Sequence, residues 1–256
     1  FEIKYIISII KKIASFFAVL IVVNNISANA QLMVPRFELG AGIGSNIYQG
    51  DLTPSRFGSY KTMKVGFQLH GSLILSPSFL ARTNLSIGGL RGDDAAYDNP
   101  EFRKQRNFNF KTALIELSEL VVWNPLKTNY QNTGFSPYLM AGVGVSFLSV
   151  KSDASNFNPE YFADEAEIQQ NIAADQEHGT PSVIPVVPVG AGVRYGFSPA
   201  LAVYAESTYR LMFTDYLDGF SKATNPDGND HYQTISVGII FRPGSKGKLA
   251  CPAVSY

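Results

Sequence analysis

The stretch Leu201-Ala-Val-Tyr-Ala-Glu-Ser-Thr-Tyr-Arg-Leu-Met-Phe213, continuing into Thr-Asp-Tyr-Leu-Asp-Gly219, alternates in character with a period of two. Successive side chains of a β-strand point to opposite faces. One face carries Leu201, Val203, Ala205, Ser207, Tyr209, Leu211 and Phe213, and the other carries Tyr204, Glu206, Thr208 and Arg210. Such a strand needs a polar compartment for its charges. In an exported protein the lumen of a membrane barrel is such a compartment.

Seven further stretches repeat the pattern: Arg36–Ile47, Met63–Ile74, Leu80–Leu90, Asn109–Trp123, Pro137–Ser149, Val186–Phe197 and Tyr232–Arg242. Their lengths suit a tilted crossing of the hydrocarbon layer, which takes about 9–11 residues. In Asn109–Trp123, Glu116 and Glu119 fall on opposite faces, and a bulge would bring both to the polar side. The connections 48–62, 91–108, 150–185 and 214–231 are long, whereas 75–79 and 198–200 are short and 124–136 is intermediate. Short periplasmic turns alternating with long outer loops mark outer-membrane barrels. The expected fold is all-β, an eight-stranded antiparallel transmembrane β-barrel of the up-and-down, OmpA-like kind.

Lys4, Lys11 and Lys12 precede the apolar run Ile13–Val23 and then Ser27-Ala-Asn-Ala30. This order predicts a signal peptide over residues 1–30, cleaved after Ala30. An uncleaved anchor is the other reading, but the run is short for a spanning helix. The expected organisation is therefore signal peptide 1–30, barrel 31–242 with four long extracellular loops, and periplasmic tail 243–256. Residues 1–30 hold three Lys and one Glu, so 18 of the 21 basic and 20 of the 21 acidic residues remain beyond them. That near balance is no nucleic-acid footprint. The single Cys251 excludes an internal disulfide framework.

Alternation leaves two arrangements open. A soluble, lipocalin-like barrel would turn the apolar face inward around a ligand. Three features favour a membrane barrel. Leu, Val, Ile and Phe fill the apolar face on all eight strands, and the polar face is rich in Gly, as a crowded interior requires. Aromatic residues at strand ends (Tyr48, Phe79, Phe108, Trp123, Phe147, Phe197 and Phe213) suit interface girdles.

Eight strands enclose only enough room for side chains, and buried charges need partners. The lumen is expected to hold an ion-pair network of Lys64, Arg82, Glu116, Arg194, Glu206 and Arg210. In it Glu206 and Glu116 are shared among Arg82, Arg194 and Arg210, while Glu38 and Arg242 sit at the wet rims. The barrel is then closed to bulk solutes.

His70 reads as a lumen residue, and His178 and His231 fall in loops. His231 beside Asp230 loosely imitates part of a hydrolytic triad, but no Ser is tied to it by spacing. Asn225-Pro-Asp-Gly-Asn-Asp230 lacks the later bidentate Glu of a calcium loop and reads as a turn. No catalytic residue, cofactor site, metal site or small-molecule substrate is expected. Residues 150–182 carry Asp153, Glu160, Asp164, Glu165, Glu167, Asp175 and Glu177 against Lys151 alone. This acidic loop is expected to include a short amphipathic helix over 161–174.

Several ordered pieces resemble one family. They are Phe37-Glu-Leu-Gly40, Gly44-Ser-Asn-Ile-Tyr-Gln-Gly-Asp-Leu52, Gly92-Asp-Asp94, Arg106-Asn-Phe-Asn-Phe110, Ile115-Glu-Leu-Ser118 with Trp123-Asn124, and Pro137-Tyr138 before Gly142-Val-Gly144. Ile184-Pro185, Pro188-Val-Gly190, Glu206, Tyr209-Arg210 and Phe213-Thr-Asp-Tyr-Leu-Asp-Gly219 complete the set. Together they resemble the PorG-like outer-membrane barrels of Bacteroidetes. The resemblance implies a non-enzymatic component of the type IX secretion and gliding machinery, associated with its periplasmic PorK–PorN ring. It implies outer-membrane lipid and ring subunits as partners, with Lys246, Lys248 and Cys251 of the tail and the 124–136 turn as candidate contacts. A general OmpA-like structural or adhesive barrel is the alternative. The acidic third loop departs from the family pattern.

Overall fold

The computed structural model describes residues 37–243 except 56, 166 and 227; the expected signal peptide and the tail residues Lys246, Lys248 and Cys251 lie outside the described residues. Eight strands follow one another: β1 (Phe37–Gln49), β2 (Lys64–Ile74), β3 (Phe79–Asp93), β4 (Asn109–Trp123), β5 (Gly134–Asp153), β6 (Val183–Gly196), β7 (Leu201–Met212) and β8 (His231–Phe241). Each pairs antiparallel with the next, and β1 pairs with β8, closing the barrel. Closure removes sheet edges and pairs the strand backbone internally, the condition for crossing lipid with strands. β5 runs beyond the expected Pro137–Ser149 at both ends: its ladder with β4 continues through polar residues to Asp153, and its ladder with β6 begins at Gly134.

Even-numbered strand residues point inward and odd-numbered ones outward. Val65, Phe67, Leu69, Ile115, Val121, Leu139, Val143, Val237 and Ile239 all stand exposed on the wall, while Arg82, Glu116, Glu206 and Arg210 are buried inside. A continuous apolar exterior around a charged interior is the reverse of a soluble barrel. The apolar wall meets lipid, and the protein is an outer-membrane barrel. Phe37, Phe79, Trp123, Phe135, Tyr195 and Phe197 form an exposed girdle near the short-turn end. Tyr48 and Phe108 are not girdle residues. Both are buried in the core, because the loops fold back over the ends of β1 and β4.

No bulge re-aims Glu119. The β4 register runs unbroken from Asn109 to Trp123 against both neighbours, so Glu119 faces outward between Leu117 and Val121. The Thr83 hydroxyl, opposite it on β3, donates to its two carboxylate oxygens at 2.8 and 3.0 Å.

Two helices decorate the outer loops, α1 (Phe102–Arg106) and α2 (Glu167–His178). The second starts six residues later than the expected 161–174 helix. Phe162 stacks on Phe157 at 5.1 Å, and the Asn158 side chain accepts from the Glu160 and Tyr161 amides, which holds this stretch in turns.

A carboxylate on the lipid face carries a desolvation cost. Glu119→Leu is therefore expected to stabilise the barrel by about 1–2 kcal/mol. Thr83→Val, which strips the carboxylate of its donor, is expected to cost about 1 kcal/mol. Urea unfolding of the protein in lipid vesicles measures both.

Candidate functional site

Side chains from opposite walls meet in the lumen, and glycine on its polar face makes room for them. A Cβ on Gly192 would overlap the Tyr138 ring, and one on Gly40 would overlap the His70 imidazole. Three sets of ion pairs tie opposite walls together. Arg82 on β3 reaches Glu206 on β7 at 2.9 Å, and the Tyr138 hydroxyl donates to the same oxygen at 2.8 Å. Arg210 on β7 donates through Nε to Glu116 on β4 at 2.8 Å, joined by the Tyr232 hydroxyl at 2.8 Å. Arg210 also donates to Thr234 Oγ1 at 2.7 Å. At the short-turn end, Glu38 takes Arg194 at 3.2 Å and Arg242 at 2.8 Å.

This arrangement differs from the expected network in three respects. Arg194 pairs with Glu38 rather than with Glu206 or Glu116. Glu38 and Arg242 are buried, not wet rim residues, because the 124–133 turn folds across the barrel mouth; Arg194 donates to Asn129 Oδ1 at 3.0 Å. Among the described residues Lys64 has no carboxylate within salt-bridge distance: it sits half-buried at the outer end of β2, opposite Asn46. His70 lies in the lumen with its ring edge-on to Tyr204, and neither ring nitrogen has a protein partner.

The outer half of the lumen is apolar. Leu52, Leu90, Phe108, Phe110, Leu217 and Phe220 pack there in one buried cluster, with Phe108 stacked on Phe220 at 4.4 Å. Above it the outer loops are stapled to one another by buried carboxylates. Asp94 takes Arg103 at 2.7 Å and Arg106 at 2.7 Å, and both arginines also donate to the Asp51 carbonyl. Asp175 on α2 accepts from the amides of Ser221, Lys222 and Ala223 at 3.0–3.1 Å. In the sequence it belongs to the acidic run 150–182, and its burial comes from loop–loop packing that no local pattern shows. The one legible signal is the mixing of Leu217 and Phe220 with acids in 215–220.

The Tyr48 hydroxyl lies 2.7 Å from Asp218 and 2.5 Å from Asp230. A hydroxyl donates one proton, so one of these carboxyls must itself be protonated and donate back. Burial pushes Asp218 up to about 8, and burial followed by the neighbouring Asp218 pushes Asp230 well above the carboxylate range. Burial, then Asp51 and Asp175, raises Asp215 to about 7. Asp230 is thus engaged by Tyr48 and the Leu217 amide, while Nδ1 of His231, the first residue of β8 rather than a loop residue, accepts from the Met212 amide. Both residues of the pair are thus held by structural contacts within the outer loops and strand ends. The stretch 225–230 does contain a turn, closed by Gly228 N on the Asn225 carbonyl at 3.3 Å, but its last residue is buried.

Taken together, a closed wall, a tied lumen and a stapled outer roof define a plugged eight-stranded outer-membrane barrel. Over residues 12–242 the chain matches the family described as "Domain of unknown function (DUF6089)", and it belongs to that family. No curated protein matches the sequence. Among solved structures it is similar to Ail of Yersinia pestis, at 12% identity over 82% of this chain and 99% of that chain, with a TM-score of 0.43. Neisserial surface protein A gives 13% identity, 80% and 96% coverage and a TM-score of 0.45. OprG from Pseudomonas aeruginosa gives 10% identity, 81% and 95% coverage and a TM-score of 0.41.

Removing one member of a buried pair leaves an uncompensated charge. Arg210→Met is expected to cost about 3–5 kcal/mol, and Arg210→Met combined with Glu116→Met is expected to recover most of it. Denaturant unfolding in detergent micelles tests this. The outer roof should respond to pH in a defined direction. Carboxyls with raised values hold their protons more tightly when folded, so their stability contribution is complete below about 4 and is lost as pH rises through about 7 to 8. Amide exchange at Leu217 and Phe220, corrected for intrinsic rate, should be faster at pH 8.5 than at pH 5.5. Asp218→Asn should flatten the difference.

Proposed function

We propose that the protein is a non-catalytic scaffold of the type IX secretion and gliding machinery, associated with its periplasmic ring. One observation carries this reading: ion pairs across the lumen and a stapled roof close the barrel, so its working surfaces are its rims and its wall. The pieces that resemble PorG-like barrels lend support, because they include the closing residues themselves. Tyr48, Asp94, Arg106, Glu116, Glu206, Arg210 and Asp218 all take part in the ties or the roof. At the short-turn end, exposed Leu126 and Lys127 project from the 124–133 turn, whose Gln131 and Asn132 carbonyls accept from Arg242. A second reading, a surface barrel of the OmpA kind with structural or adhesive roles, is favoured by the exposed Phe57, Tyr60 and Tyr161 on the outer loops.

Affinity capture of the full chain from detergent-solubilised outer membrane is expected to bring down the ring lipoprotein and its partner. Deleting 244–256 together with Leu126→Asp and Lys127→Glu should reduce their recovery at least tenfold. Capture without ring subunits overturns the secretion reading in favour of the surface-barrel one.

A further inference from the structure

The outward face of β3, β4 and β5 ends in a row of cations. Arg91 lies opposite Lys111, and Lys111 lies opposite Lys151. Like charges directly abreast on neighbouring strands are destabilising. Nearby carboxylates do not relieve them fully. Arg91 pairs with Asp93 at 2.8 Å, and Asp93 also accepts from the Ala95 amide. Asp153 is taken by the Ser155 amide and Asn109. Among the described residues neither Lys111 nor Lys151 has a carboxylate within salt-bridge distance, and both are exposed.

Their height on the wall points to what neutralises them. The row lies twelve residues beyond the girdle pair Phe79–Trp123 along β3 and β4. At about 3.4 Å per residue and a tilt of about 40°, that is a rise of about 31 Å. The apolar band of such barrels is about 25 Å tall, which puts the cations at the headgroup level of the outer leaflet. Directly beneath them the row Gly89, Ala113 and Ser149 is small, and beneath that Ile87, Ile115 and Phe147 form an apolar wall. The corresponding outer ends of other strands carry Val65, Val183, Leu211 and Gln233, with no charge.

We propose that Arg91, Lys111 and Lys151 bind the phosphate of a phosphorylated glycolipid in the outer leaflet, with its acyl chains lying along Ile87, Ile115 and Phe147. Phosphate offers three acceptor oxygens to a row of donors, and Arg and Lys are the side chains suited to it. The small residues between cations and wall leave space for the sugar. A lipid bound here would lie on one sector of the barrel, not all round it.

Native mass spectrometry of the full chain in detergent, titrated with diphosphoryl lipid A, tests the site. Wild-type protein should retain this lipid at least tenfold better than the dephosphorylated glycolipid with the same chains. K111Q/K151Q should lose that preference, K111R/K151R should keep it, and Lys104→Gln, a loop cation paired with Asp98, should leave it unchanged. Heat-modifiable migration in gels checks that each variant is folded. Equal retention by wild type and K111Q/K151Q overturns the proposal. So does equal loss in K111R/K151R, or full displacement of the lipid by an equal concentration of inorganic phosphate.

Discussion

Everything in this molecule depends on charges that meet across a narrow tube. The hydrogen-bonded ladder joins only neighbouring strands, but the buried ion pairs join strands that are not neighbours: β3 to β7, β4 to β7 and β1 to β6. Eight strands bring opposite walls close enough for an arginine to span the gap. Because no charge can leave for water, each pair must be complete or cost several kcal/mol. Tyr138 and Tyr232 supply the remaining donors to the carboxylates, and their rings lie 5.3 and 4.9 Å from the Arg82 and Arg210 guanidinium carbons. The pairs therefore act as crossbars that hold the cylinder to one cross-section.

Outside this polar middle the same logic runs with different materials. The outer lumen is sealed with aromatic and aliphatic side chains, and the loops above it are held by carboxylates that accept from backbone amides and arginines. Long loops ordinarily carry the mobile part of a barrel. Here Arg103 and Arg106, held by Asp94, tie their loop to the Asp51 carbonyl of the first loop, and Asp175 ties the third loop to the fourth, so the outer face is a built surface.

Strand parity was legible because lipid and lumen impose it residue by residue. It placed Glu116, Glu206 and Arg210 inside, and it placed the strands to within four residues of their ends. Pairing was less legible. Which arginine meets which carboxylate depends on shear and on turns such as 124–133, and neither is written in alternation; hence Arg194 with Glu38. The burial of Asp94, Asp175 and Asp218 was illegible for a related reason. In a loop, a carboxylate bound for water and one bound for a distant backbone amide look alike until the partner, such as Ser221 for Asp175, is known. Glu119 is misleading for a different reason: alternation puts it on the apolar face, which suggests a bulge, whereas the ladder stays regular and Thr83 shares the cost.

That exception has company. On β1, β2, β6, β7 and β8 the outward strand positions include no Asp, Glu, Lys or Arg among the described residues. On β3, β4 and β5 they include Glu119 in the apolar band and Arg91, Asp93, Lys111, Lys151 and Asp153 at the outer end. These are also the three longest strands. A barrel wall that merely floated in lipid would have no reason to collect its charges in one sector, since lipid presents the same medium on every side. Confining them to three adjacent strands implies that this arc meets something the rest of the wall does not, and in a closed tube the wall is where contact is made.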